Sequence, residues 1–146
     1  MAFLVFAFLT LMAVETYGSL FQFRLMINYL TGKLPILSHS FYGCYCGAGG
    51  SGWPKDAIDW CCQVHDCCYG RMSASGCDPY FQPYNFSYIN KNLQCVETDT
   101  SGCPRRICEC DRLASICFQQ HDATYNSSNI DPKRKGCGTK SPPCPN

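Results

Sequence analysis

The chain carries little charge and almost no imbalance of sign: 12 Lys and Arg stand against 11 Asp and Glu, a formal net of +1. That balance excludes strong steering of the whole molecule toward nucleic acid or anionic membranes. No apolar run is long enough to cross a bilayer. Phe3 to Val14 is uncharged but falls short of the roughly 20 residues a spanning helix needs, and it reads as the core of a secretory leader. No Lys or Arg precedes it, so the α-amino group is the leader's only positive charge. Thr16 and Gly18 supply small residues for cleavage, predicted after Gly18, giving a leader over residues 1–18 and a domain over 19–146. Internal repeats and interdomain linkers are also lacking, and one small domain is expected.

Cysteine is what the chain has in excess. All 14 lie beyond residue 18. An even number of thiols in a small secreted chain reads as a disulfide framework. The competing reading, zinc, needs pairs spaced C-x₂₋₄-C, whereas this chain offers the vicinal pairs Cys61–Cys62 and Cys67–Cys68, and Cys44-x-Cys46 and Cys108-x-Cys110.

Leu20, Phe23, Met26, Ile27 and Leu30 recur at helical spacing, predicting a short amphipathic helix stopped at Thr31-Gly32. Tyr42 to Gly52 holds five glycines and must be a loop. A second helix is expected from Pro54 to about Gly70, with Asp56 and Asp59 near its positive end, and a third from Pro104 to His121. Between them Tyr84, Phe86 and Tyr88 alternate, predicting a short hairpin turning near Asn90-Lys91-Asn92. Beyond Tyr125 an irregular tail is expected, pinned by Cys137 and Cys144. The fold class is therefore mainly α and disulfide-rich. Cys61 and Cys68 share a stripe of the second helix, as Cys110 and Cys117 do of the third. Bridges 61–117 and 68–110 would keep one index sum, as straight antiparallel packing requires.

His65 lies on the same stripe, four residues after Cys61 and three before Cys68, and so faces the third helix, with Asp111 within about a turn of it. An imidazole oriented by a carboxylate is a general-base arrangement. Asp66 points about 100° away, toward the glycine loop, where a carboxylate and backbone carbonyls suit Ca²⁺. Singly, each feature has a plainer reading: a satisfied buried histidine, a solvated helix aspartate, glycines in turns. Jointly, with the cysteine frame aiming His65 at Asp111, they favour function.

The segment Cys61-Cys62-Gln63-Val64-His65-Asp66-Cys67-Cys68 resembles the histidine signature of secreted phospholipases A2. Ile107-Cys108-Glu109-Cys110-Asp111, followed by Cys117, resembles their aspartate signature, and Tyr42 to Gly50 their calcium loop. The likeness covers essentially all of Ser19 to Cys144. Cys67 and a terminal Cys144, with no cysteine in the first helix, resemble the group II subclass. The resemblance implies bridges 44–137, 46–62, 61–117, 67–144, 68–110, 77–103 and 95–108, that is Cys44–Cys137, Cys46–Cys62, Cys61–Cys117, Cys67–Cys144, Cys68–Cys110, Cys77–Cys103 and Cys95–Cys108.

By that resemblance, Tyr45, Gly47, Gly49 and Asp66 would bind Ca²⁺. His65 would activate water against the sn-2 ester of a glycerophospholipid, Asp111 would hold His65, and Tyr69 and Tyr84 would complete the network. Tyr69, four residues after His65, shares its face, which supports the pairing independently. Tyr84 reads equally well as a core aromatic; on an inward-facing strand position it would turn Asn85 outward. Leu20, Phe23 and Ile27 would line an acyl channel, and Phe21 and Trp53 would touch a membrane bound peripherally. Sequons at Asn85 and Asn126 are candidate glycosylation sites. Lys133-Arg134-Lys135 reads as a solvated loop, with a cell-surface receptor or sulfated glycans as candidate partners. No nucleic-acid partner is expected, and the chain reads as a monomer. Trp53, Trp60 and one extra residue between Cys95 and Cys103 depart from the family pattern. The alternative is a non-catalytic secreted binding module on the same scaffold.

Overall fold

The computed structural model describes residues 18–146; apart from Gly18, the expected leader with its apolar run Phe3 to Val14 lies outside the described residues. In chain order the elements are α1 (Ser19–Thr31), the single turn α2 (Pro35–Ser38), α3 (Ala57–Ala74), β1 (Phe86–Ile89), β2 (Asn92–Cys95) and α4 (Cys103–Gln120). Two 3-10 turns follow, Asp122–Thr124 and Ser127–Asn129. No described helix is long and apolar enough to cross a membrane.

Helix α1 ends where Gly32 turns left-handed at φ 71° and returns its N–H to the Asn28 carbonyl. The turn α2, with Pro35 in its first turn, has no counterpart among the sequence expectations: four residues carry too little periodicity to register. Helix α3 differs from expectation at both ends. It begins at Ala57, not Pro54, because Asp56 is the extended N-cap whose side chain accepts from the Asp59 N–H. It passes through Gly70, whose neighbourhood is empty, and stops four residues past it, at Ala74. There Gly76 takes φ 86° and the Cys77 N–H reaches the Met72 carbonyl, the 6→1 bond of a Schellman ending.

Helices α3 and α4 run antiparallel, cross-linked by Cys61–Cys117 and Cys68–Cys110 with Cα separations of 5.8 Å in both. Helix α1 packs against α4, and β2 against α4 from the side. The hairpin is antiparallel, pairing Phe86 with Cys95 and Ile89 with Asn92. Asn90 and Lys91 both take positive φ (52° and 63°), the conformation a two-residue turn needs to match strand twist. Tyr84 and Asn85 precede β1, so Tyr84 is held by Gln22 of α1 and not by a strand pleat.

The tail contains the Ser127–Asn129 turn and an isolated Tyr42–Ile130 bridge, and is tied back by Cys44–Cys137 and Cys67–Cys144. Cys46–Cys62, Cys77–Cys103 and Cys95–Cys108 complete the set, and no described cysteine is free. Fully buried Met26, Ile58 and Ile107 anchor the apolar contacts between helices, each worth about 1.5–3 kcal/mol on burial.

Candidate active site

The stripe on α3 carries His65 against α4. Its Nε2 lies 2.6 Å from Asp111 Oδ1, with His65 buried and Asp111 wholly so. Asp111 accepts two further bonds, from the Tyr69 hydroxyl to Oδ1 (2.7 Å) and from the Tyr84 hydroxyl to Oδ2 (2.5 Å). Three donors thus satisfy one carboxylate that water does not reach. Burial, and then the facing Asp111 charge, push both phenols upward, so each remains a protonated donor. Phe23 of α1 stacks on the His65 ring at 4.3 Å and 16°, fixing the imidazole plane. With Nε2 engaged, Nδ1 is the nitrogen left without a hydrogen-bond partner among the described residues.

His65 lines a cleft of about 790 Å³. Leu20, Phe23 and Ile27 of α1 line it too, as do Phe118 of α4 and the loop from Tyr45 to Gly50. Phe41 and Tyr80, both exposed, line it as well. This is the size and apolar character of a ligand site. His39, also in its wall, packs on Phe118 and Tyr125, and burial with the nearby Lys33 charge lowers its pKa to about 4. It is therefore a neutral ring at neutral pH. Phe21 and Trp53 are exposed and line no part of this cleft; Trp53 instead meets Trp60 edge-on at 5.7 Å. The exposed Leu34, Ile36, Leu37 and Phe81, which flank the cleft-lining Pro35 and Tyr80, have no counterpart in the sequence reading. Their only sequence signal is apolar residues standing outside any helical period.

The glycine loop is held by Asp59. Wholly buried, it accepts the N–H groups of Cys44 (2.7 Å), Tyr45 (2.9 Å) and Lys55 (2.8 Å). A Cβ at Gly43 would lie 2.3 Å from that carboxyl carbon, which is why glycine stands there. The sequence suggests for Asp59 only a helix-dipole role; its two partners in the glycine loop lie 14 and 15 residues upstream, beyond any local pattern.

Asp66, one residue beyond His65, lines the same cleft, as do Gly47 and Gly49. Its half-buried carboxylate has no hydrogen-bond partner among the described residues, and burial pushes its pKa up to about 7 against the pull of the His65 and Arg134 charges. The carbonyls of Tyr45, Gly47 and Gly49 likewise accept no hydrogen bond among the described residues. An unpartnered carboxylate beside unspent carbonyls is an oxygen-only donor set, which suits Ca²⁺. One further group, Cys61, Cys117 and His121, lies close enough to share an ion. Its two sulfurs form one disulfide and offer no thiolate.

Of the remaining sequence-derived positions, Asn85 and Asn126 are exposed. In the basic run only Lys133 and Lys135 are exposed; the Arg134 guanidinium turns inward to the loop carbonyls.

The phospholipase A2 family model matches residues 20–130. The chain is 47% identical to the group IIE secretory phospholipase A2 of Mus musculus, over 87% of each chain. It is 50% identical to a basic phospholipase A2 of Vipera berus berus, over 92% of this chain and 93% of that one. With the membrane-associated phospholipase A2 of Rattus norvegicus the identity is 42%, over 90% of both.

Proposed function

The chain belongs to the phospholipase A2 family, and from that premise we propose how it acts: as a secreted, calcium-dependent enzyme that hydrolyses the sn-2 ester of glycerophospholipids. The observation that carries the reading is the buried His65–Asp111 pair at 2.6 Å, with His65 in the wall of a largely apolar cleft. An acyl chain lies along Leu20, Phe23 and Ile27, which exclude water from all but the ester.

His65 Nδ1 takes a proton from a water molecule, directly or through a second water, as the water oxygen attacks the sn-2 carbonyl carbon. The Nε2–H stays bonded to Asp111 throughout, so the imidazolium that forms faces a carboxylate already in place. The same Nδ1 returns the proton to the departing glycerol oxygen, releasing a fatty acid and a lysophospholipid. Tyr69 and Tyr84 hold Asp111 and take no proton. Asp66 and the carbonyls of Tyr45, Gly47 and Gly49 would hold Ca²⁺, which would supply positive charge to the substrate phosphate and to the carbonyl oxygen. The leader is removed after Gly18, the protein works peripherally on a lipid surface as a monomer, and the exposed Asn85 and Asn126 carry glycans.

Mixed phospholipid vesicles test this. With Ca²⁺ the sn-2 fatty acid is released, and chelation abolishes release. His65→Gln lowers the rate by about 10²–10⁴, the range general-base catalysis contributes, in a protein that stays folded. Hydrolysis that survives chelation would sink the calcium role. A folded protein inactive on every headgroup would favour the non-catalytic binding module.

A further inference from the structure

Arg134 takes φ 49° in the turn after Asp131, and its guanidinium reaches back to the glycine loop. Nη1 donates to the Cys44 carbonyl (2.9 Å) and Nη2 to the Cys46 carbonyl (3.1 Å). The turn beneath it is braced: the Arg134 N–H meets the Asp131 carbonyl (3.0 Å), and the Asp131 carboxylate accepts the N–H groups of Lys133 and Lys135. Three residues on, Cys137 is bonded to Cys44 itself. The fork is therefore fixed at its base and covalently close to its target.

The carbonyls it engages interleave with those left free. Cys44 and Cys46 give theirs to Arg134, while those of Tyr45, Gly47 and Gly49 accept no hydrogen bond among the described residues. Asp59 takes the N–H groups of Cys44 and Tyr45 on the same stretch, so the backbone is gripped through donors and acceptors alike. We propose that Arg134 is a positioning residue for the calcium site, holding the loop so that the carbonyls of Tyr45, Gly47 and Gly49 stay available to the ion. This rests on the calcium reading above and adds to it a residue that touches neither ion nor substrate.

Arginine suits the task because its planar fork bonds two carbonyls two residues apart, which a lysine ammonium, a hydrated point charge, does not reproduce. A cost comes with it. The Arg134 charge is felt at Asp66 and opposes a divalent cation beside it. The arrangement is worth keeping only where the order imposed on the loop outweighs that repulsion, and the two effects separate by substitution. Arg134→Lys keeps the charge and loses the fork; Arg134→Gln loses both.

The experiment is calcium titration of the purified protein by calorimetry, with melting temperature in chelator and hydrolysis at rising calcium as companions. Arg134→Lys weakens calcium binding by about tenfold, the lower end of what outer partners of metal ligands contribute. Arg134→Gln weakens it less, since relief of repulsion offsets part of the loss. The activity lost at low calcium is made up as calcium rises, and the melting temperature in chelator holds. Calcium affinity of Arg134→Lys within twofold of the parent overturns the proposal, as does a loss of affinity that merely follows a fall in melting temperature. A parent protein that binds no calcium overturns the site reading itself, a result distinguishable from failure of the clamp alone.

Discussion

A single oxygen pair organises the reactive centre. Asp111 is wholly buried, and each of its donors comes from a different place: His65 and Tyr69 from successive turns of α3, Tyr84 from the segment before β1. Removing one leaves a buried anion short of a partner, a loss of about 1.5–3 kcal/mol for a bond to a charged group. Tyr84→Phe removes the sole donor to Oδ2 among the described residues, whereas Tyr69→Phe leaves Oδ1 with His65. Thermal or denaturant unfolding is expected to show the larger loss in Tyr84→Phe. The rate falls in both with little change in KM, since neither hydroxyl meets substrate. Equal and negligible losses would mean that water replaces these donors. His39 gives a residue-scale prediction of another kind. Its folded pKa of about 4 lies below the unfolded value near 6.5, because burial and Lys33 disfavour the charged ring. Below pH 6.5 the unfolded chain takes up a proton that the native chain refuses. This contribution is whole above that pH and is lost as pH falls toward 4, by up to about 3 kcal/mol. Asp66, pushed up to about 7 by burial, acts in the opposite sense over much of the same window. The diagnostic quantity is therefore the difference between the parent and His39→Phe, in chelator. The parent should lose more stability between pH 7 and pH 4.5, and parallel curves would refute the assignment.

At the scale of elements, what was legible followed from covalent and periodic constraints. Seven-residue cysteine spacing on two helices set their pairing and direction, and with them the meeting of His65 and Asp111. Helix ends were less legible because one residue type serves several roles. Gly70 looked like a stop, yet the left-handed residue is Gly76, where Cys77 can close the Schellman bond. Pro54 looked like a start, yet Asp56 caps two residues later and the helix begins at Ala57. Long-range grips such as Asp59 on Cys44 or Arg134 on Cys46 leave no periodic trace at all. Two glycine substitutions separate these cases. Gly70→Ala removes backbone freedom in a helix interior where a Cβ meets nothing within 4 Å, and should stabilise by about 0.5–1 kcal/mol. Gly43→Ala sets a Cβ 2.3–2.6 Å from the Asp59 carboxylate at φ 59°, and should cost more than about 3 kcal/mol. Melting curves that failed to show opposite signs would contradict this account of the two positions.

For the whole molecule the question is how a nearly neutral protein, net +1, reaches a lipid surface. Several of its cations are already engaged: Lys33 with Asp122, Arg105 and Arg112 with Glu109, Arg134 with the loop. Beside the cleft-lining Pro35 and Tyr80 the exposed residues are apolar, with Ile36 60%, Leu37 72% and Phe81 73% exposed, while the exposed Arg24 is a cation on the cleft wall itself. Attraction to the surface should then come from buried apolar area, which is insensitive to salt, more than from charge, which is screened within about 10 Å at 0.1 M. Replacing Ile36 and Leu37 together by Ser removes two side chains from the interface. It leaves the His65–Asp111 pair, carried by α3 and α4, intact. Vesicle hydrolysis should fall by about tenfold, as expected if each side chain is only partly withdrawn from water. Hydrolysis of a short-chain phospholipid dispersed as monomers should keep its rate. Raising salt from 50 to 500 mM should leave the parent's vesicle activity within about twofold, because little of the attraction is electrostatic. A steep salt dependence, or an equal loss on monomeric and vesicular substrate, would show that α2 is not the part of the molecule that meets the lipid.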